Sequence, residues 1–132
     1  MDTDNEQFRE GNLEEKELTY RIRACVFAVS NELGPGFLDQ AYEHAMLIEL
    51  HSAGLGAQAQ QPIKVCYKDP VVGDFVVDIV VENRVLLELK ACRALAREHE
   101  AELLNYLGAT GINVGLLINF GQPRAQIKRF VR

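Results

Sequence analysis

Apolar residues recur at helical spacing through the first part of the chain. From about Leu13 they return every three or four positions until Gly34-Pro35-Gly36, a strong helix breaker, and this pattern predicts a first amphipathic helix. A second helix is predicted from near Phe37 to the glycines at 54 and 56. Residues 1 to about 12 lack this periodicity and are polar and acidic, so we expect a disordered acidic lead there.

The hydrophobic period changes to two after a Gln-rich connection at residues 58–62. Three apolar runs rich in β-branched residues follow, and they predict a meander of three strands: Ile63 to Tyr67, Phe75 to Val81 and Val85 to Leu89. The second and third runs are apolar at consecutive positions. This pattern is typical of strands buried on both faces, as in a sheet covered by helices.

The remaining elements complete an α/β pattern. Ala94 to Thr110 predicts a third helix, Val114 to Phe120 a further strand, and the tail after Pro123 one strand or one helical turn. The order is therefore helix, helix, three strands, helix, strand. We expect one domain over residues 13–132, with a mixed sheet of about four strands flanked by helices.

Composition excludes several classes of protein. The 132 residues contain no apolar stretch near the roughly 20 residues that a membrane span needs. The polar start lacks the features of a secretory signal, so we expect a cytoplasmic protein without a membrane partner. The three cysteines are odd in number and far apart, which argues against a disulfide framework and a zinc site.

The formal net charge of −5 is unevenly distributed. Residues 1–17 carry seven acidic and two basic side chains, whereas the remainder carries twelve of each. The last segment is basic, with Arg124, Lys128, Arg129 and Arg132 and no acid after Glu102. These side chains could contact nucleic-acid phosphates, or they could form a solvated terminal face.

Three charged residues interrupt the predicted buried strands. Asp78 lies within the apolar run from Phe75 to Val81, and Glu88 and Lys90 lie at the end of the next run. An unpaired carboxylate inside such a strand would lose several kcal/mol by desolvation, so a cation or a functional role is implied. Glu88 and Lys90 are two residues apart and therefore share a face of their strand.

The length of the intervening loop decides whether Asp78 joins them. A three-residue loop, with Val81 opposite Val85, places Asp78 opposite Glu88, whereas a two-residue loop turns Asp78 to the other face. Two carboxylates beside a lysine would suit Mg²⁺ or Mn²⁺. The alternative is a buried ion pair of Lys90 with Asp78 or Glu88 and no metal.

Several motifs together resemble a known group of proteins. Asp78 followed by Glu88-Leu89-Lys90 resembles the PD-(D/E)xK nuclease superfamily, whose restriction-endonuclease-like core contains helix, three strands, helix and strand. More narrowly, the chain from about Leu18 to Val131 resembles the GxxExxY family placed in that superfamily. The motifs are Gly36-Phe37-Leu38-Asp39-Gln40-Ala41-Tyr42, Glu88-Leu89-Lys90, Asn105-Tyr106-Leu107, the segment Gly115 to Gly121, and Lys128-Arg129.

The resemblance implies roles for individual residues. Asp78 and Glu88 would bind Mg²⁺ or Mn²⁺ together with the backbone carbonyl of Leu89, and Lys90 would position the attacking water. Asp39 stands where the family motif has Glu, so its carboxylate is one methylene shorter and a water could replace the lost reach.

Further residues are candidates for supporting the site. Tyr42 shares its side of the helix with Asp39, and the favoured alternative is a core aromatic. Glu102 stands where related nucleases often have Gln four residues before a Tyr, here Tyr106; it could reach the site or be a solvated acid. His99 could act as an acid or contact phosphate, although a packed, hydrogen-bonded histidine is the commoner arrangement.

Two functions remain open from the sequence. The leading hypothesis is a Mg²⁺-dependent nuclease acting on nucleic acid, with DNA favoured over RNA. The competing hypothesis is a non-catalytic protein of the same fold that binds nucleic acid or a protein partner. Because so small a chain has little surface for reading sequence, specificity would come from a homodimer, from DNA shape or from a partner protein.

Overall fold

The computed structural model describes residues 15–132, and the predicted acidic lead lies outside them. This part of the chain contains three helices and five strands. In chain order they are α1 (Lys16–Leu33), α2 (Asp39–Ser52), β1 (Ala57–Cys66), β2 (Val71–Val81), β3 (Val85–Lys90), α3 (Arg97–Thr110), β4 (Val114–Asn119) and β5 (Gln126–Val131).

The five strands form one mixed sheet in the order β1-β2-β3-β4-β5. Strands β3 and β4 are parallel and are connected through α3, whereas the other neighbouring pairs are antiparallel. The predicted α/β class, the three helices and the three-strand meander are confirmed. The tail after Pro123 forms β5, so the sheet has five strands instead of about four.

Helices cover both faces of the sheet. One core layer joins α1 and α2 to the sheet, and its fully buried side chains include Ile22, Met46 and Leu116. The second, smaller layer packs α3 against the other face, around Leu103 and Leu117. Each helix therefore buries one apolar face against the sheet, as the helical spacing of its apolar residues predicts.

The β1-β2 hairpin differs from the prediction in length and burial. The Gln-rich segment 58–62 was expected to be a connection, but it pairs with β2 inside β1. Only Ile79 to Val81 of β2 pair with β3, so the outer half of the hairpin extends past that strand. Phe75 and Val76 are consequently 45% and 46% exposed, and the expectation that the whole run is buried on both faces is wrong.

Over residues 15–132, every helix falls short of the length or the apolar character required to cross a lipid bilayer.

Candidate active site

Two carboxylates fill a gap between β2 and β3. Val81 lies opposite Val85, so the hairpin has the three-residue loop that places Asp78 and Glu88 at the same level. Beyond the Ile79–Leu87 pair, side chains replace the ladder bonds between the strands. The Leu89 N–H donates to Asp78 Oδ2 at 2.7 Å, and the Asp78 N–H donates to Glu88 Oε1 at 3.0 Å.

The neighbouring strand is irregular at the same level. Pairing of β1 with β2 is recorded at Ala59–Ile79 and Gln61–Val77 but is interrupted between them. Gln60 occupies that position with φ at 53°, a left-handed conformation that is uncommon for a residue with a side chain. The sheet is therefore distorted around Asp78, and backbone strain of this kind clusters at functional sites.

Burial makes both carboxylates reluctant to ionise. Glu88 is only 4% exposed, and burial together with the nearby charge of Asp78 raises its pKa to about 8. Burial also raises the pKa of Asp78, while the Leu89 N–H and the Lys90 ammonium act in the opposite direction. Ionising both carboxyls therefore lacks full compensation from the surrounding residues, and a bound cation would supply it.

Helix α3 contributes a hydrogen-bonded pair, Tyr106 and Glu102, and the Glu102 carboxylate forms an ion pair with Lys90. Lys90 Nζ lies 3.6 Å from Glu102 Oε1, and the Tyr106 hydroxyl donates to Glu102 Oε2 at 3.2 Å. Burial and the charge of Glu102 raise the pKa of Tyr106, so its hydroxyl stays protonated and can donate. The sequence allows Glu102 to reach the site or to be a solvated acid. In the structure its carboxylate lies next to the Lys90 ammonium.

Helix α2, which lies on the other face of the sheet from α3, places a second pair of acids next to Asp78. A cavity of about 400 Å³ is lined by Asp39, Gln40, Glu43, Gln60, Asp78 and Leu89. Glu43 was missed by sequence reasoning, although it lies four residues after Asp39 and this spacing places both on one helix face. Its Oε1 accepts a hydrogen bond of 2.6 Å from Gln60 Nε2, which holds the Glu43 carboxylate next to the distorted part of β1.

Tyr42 and His99 have structural contacts instead of contacts with the acids. The fully buried Tyr42 stacks on Phe120 at 4.6 Å, and its hydroxyl donates to the Gly34 carbonyl at 2.5 Å. His99 Nδ1 accepts the Ala96 N–H at 3.0 Å at the start of α3. Tyr42 therefore braces α2 and the preceding turn against the sheet, and His99 satisfies a backbone donor at a helix end.

The predicted basic tail is divided between two faces of the sheet. Lys128 and Arg129 are consecutive in β5 and therefore point in opposite directions. Lys128 pairs with Glu100 of α3 at 2.7 Å, whereas Arg129 lines a cavity beside α1. Arg124 lies over the ring of Phe27 in α1, 4.1 Å from its centroid. The three residues proposed to bind nucleic acid therefore do not form one patch.

Asn119 fixes the segment that follows Lys90. Its Oδ1 accepts the N–H groups of Cys92 at 3.0 Å and Gly121 at 2.9 Å, and its Nδ2 donates to the Cys92 carbonyl at 2.9 Å. Asn119 is fully buried and pairs with Lys90 in the β3-β4 register. The signal for this role was present in the sequence, because Asn119 is the polar residue inside the apolar run of β4.

The donor set suits a hard divalent cation. Within residues 15–132, no three His, Cys, Asp or Glu side chains lie close enough to hold a metal ion by themselves. Magnesium, however, is commonly bound by one or two carboxylates, with waters and phosphate oxygens as further ligands. Asp78 and Glu88 each use one carboxylate oxygen for a backbone N–H, and each has a second oxygen that a cation can bind.

Comparison with known proteins identifies the family. The family model of the PD-(D/E)XK nuclease superfamily matches residues 16–130, so the chain belongs to this superfamily, and its α/β fold is restriction-endonuclease-like. The narrower resemblance to the GxxExxY family stays a prediction.

One solved structure supports the same fold. The crystal structure of SSO0001 is similar with a TM-score of 0.57 at 13% sequence identity, covering 70% of this chain and 49% of that chain. The chain thus spans about half the length of SSO0001. No curated protein matches the chain.

Proposed function

We propose that the protein is a nuclease dependent on Mg²⁺ or Mn²⁺ that hydrolyses phosphodiester bonds in nucleic acid, with DNA as the favoured substrate. The observation that carries this proposal is the convergence of two buried carboxylates, Asp78 and Glu88, between two splayed strands and beside Lys90. Burial raises the pKa of both carboxyls, and a bound cation would favour their ionised forms. A structural role alone gives no reason to place two acids together in a buried gap.

Asp78, Glu88 and the backbone carbonyl of Leu89 would hold the cation. A bound divalent ion would lower the pKa of a water and offset charge developing on the phosphate. In the hydrolysis, a water oxygen forms a bond to phosphorus, the ester P–O bond breaks, and the water proton passes to the leaving oxygen through solvent.

The remaining polar side chains position this water and the substrate. Lys90 donates hydrogen bonds from its ammonium to the attacking water and to a phosphate oxygen. Glu102 restrains Lys90 Nζ at 3.6 Å, and Tyr106 in turn orients Glu102. Asp39 and Glu43 line the cavity next to Asp78, where their carboxylates would accept hydrogen bonds from water.

Calorimetric titration of Mn²⁺ into the metal-free protein tests the proposal. The wild type should bind the ion, and Asp78→Asn and Glu88→Gln should each weaken binding at least tenfold because each removes a charged ligand. Asp74→Asn is the matched control, since Asp74 lies on the same strand but pairs with exposed Lys64. Absence of metal-dependent heat in the wild type, or equal losses in the control, would contradict the proposal.

A second function is favoured by one observation. Lys90 already has an acidic partner in Glu102, so these residues could form a structural charge cluster in a non-catalytic protein that binds nucleic acid or a protein partner. In that case Asp78→Asn should destabilise the metal-free protein, since the Lys90 ammonium would lose a nearby opposite charge. In the nuclease, removing one of several crowded acids should leave that stability unchanged or increase it.

A further inference from the structure

The exposed side of α1 carries a basic and aromatic row. Lys16, Tyr20, Arg23 and Phe27 are separated by four, three and four residues, a spacing that places them along one face of the helix. The rise of 1.5 Å per residue makes this row about 17 Å long. Tyr20 is 74% exposed, although tyrosines are usually at least partly buried.

Strand β5 and the segment before it add two arginines to this row. Arg129 lines a cavity of about 560 Å³ together with Lys16, Tyr20 and Arg23, with Leu116 at its base. Arg124 lies 4.1 Å from the centroid of the Phe27 ring. We define the α1-β5 surface as Lys16, Tyr20, Arg23, Arg124 and Arg129. Among the described residues that line the cavity, the acid Glu17 lies beside the basic Lys16, Arg23 and Arg129.

Phe27 organises the two arginines at one end of the surface. The Arg124 guanidinium lies 4.1 Å and that of Arg23 5.9 Å from the centroid of this one ring. Cation–π contacts restrict two side chains that would otherwise be mobile, while the guanidinium N–H groups remain able to bind phosphate. The arrangement therefore lowers the entropy lost when an anion binds.

The position of the surface relates it to the candidate active site. In the sheet register, Gln126 of β5 pairs with Asn119 of β4, and Asn119 pairs with Lys90 of β3. Arg124 precedes Gln126 by two residues, so this end of the surface lies toward the end of the sheet that carries Lys90. Arg129 pairs with Leu116, farther along the sheet from that end.

We propose that the α1-β5 surface binds a nucleic-acid strand, with phosphates on Lys16, Arg23 and Arg124 and an unpaired base stacked on Tyr20. Positive charge at intervals along a row, with an exposed aromatic ring between the charges, matches the backbone and bases of a single strand. This binding requires no metal ion. The inference rests on the proposed function only for its choice of nucleic acid as the partner.

Fluorescence anisotropy with a labelled 20-nucleotide oligo-dT in EDTA tests the surface in the full-length protein. Each phosphate contact with a single strand contributes about 0.7 to the slope of log K against log salt concentration, which is about fourfold in affinity at 0.15 M salt. We therefore expect Arg23→Ala/Arg124→Ala to raise Kd about fifteenfold and to reduce the slope by about 1.4. Tyr20→Ala should weaken binding of the single strand, and Tyr20→Phe should preserve it.

The matched control removes the same charge elsewhere. Lys64→Ala/Lys68→Ala acts on two exposed lysines of the β1-β2 hairpin and should leave Kd within twofold of the wild type. Arg23→Lys/Arg124→Lys should fold and retain most of the affinity, which separates loss of contacts from loss of structure. Equal weakening by the two alanine pairs would overturn the proposal, because binding would then depend on net charge alone.

Two further outcomes also count against the surface. If the wild type does not bind oligo-dT in EDTA, the inference is wrong whether or not the protein cleaves nucleic acid. If Arg23→Ala/Arg124→Ala changes the sedimentation coefficient of the protein but not Kd, the surface contacts a second copy of the chain instead. If the wild type binds oligo-dT but fails to bind Mn²⁺, this inference stands and the proposed nuclease activity is refuted.

Discussion

Glu88 gives a quantitative test of the electrostatics of the site. Folding raises its pKa from 4.5 to about 8, chiefly through burial. The folded protein therefore holds the proton more tightly than the unfolded chain, so Glu88 favours folding while it is protonated, and this contribution is lost as the pH rises toward 8. Between pH 5 and pH 8 the loss amounts to about 3 kcal/mol.

Glu88→Gln removes this titration while keeping the size of the side chain and an oxygen that can accept the Asp78 N–H. Between pH 5 and pH 8, the free energy of unfolding of the variant should rise by about 3 kcal/mol relative to that of the wild type, measured by urea denaturation in EDTA. The same change at exposed Glu98 of α3 controls for the loss of one charge and should give no comparable trend. Parallel stability curves for wild type and Glu88→Gln over this range would refute the reasoning.

Three further predictions concern the framework around the site, and all are measured by urea denaturation at pH 7. Asn119→Ala should destabilise the protein by about 2 kcal/mol, because it leaves partly buried backbone groups of Cys92 and Gly121 without their partner; a change below about 1 kcal/mol would show that water replaces the amide. Gly121→Ala should destabilise by about 2 kcal/mol, since a Cβ there would overlap the backbone of Cys92, and wild-type stability would indicate that this segment can move aside. Tyr42→Phe should lose about 1 kcal/mol with the hydroxyl bond to Gly34 but should retain Mn²⁺ affinity, whereas a loss of affinity would place Tyr42 in the metal site.

Much of the candidate site could be predicted from the chain alone. Asp78, Glu88 and Lys90 were identifiable because charged residues inside apolar strands require compensation. The loop length could not be predicted, because hairpin register depends on turn geometry as well as on the apolar pattern. Glu43 was missed although its helical spacing from Asp39 was visible, because nothing local indicated that this face of α2 would meet the distorted part of β1.

The basic tail shows the limit of reading charge along the chain. Lys128 is close in sequence to Arg124 and Arg129, yet alternation in β5 places it against α3, whereas the two arginines lie beside α1. Lys16 belongs to the acidic first segment, yet the fold places it beside Arg129. A one-dimensional charge count cannot detect either effect.

The helices, the order of the main strands and the charged residues of the buried strands could all be predicted from the amino-acid sequence. Each of these follows from local periodicity and from the free energy of burying charge, which depend on a short stretch of chain. The tertiary structure alone decided that the Gln-rich segment pairs as a strand, that Phe75 and Val76 are exposed, and that Lys90 meets Glu102. These features depend on where one element ends relative to another, and that is set by packing between residues distant in the chain.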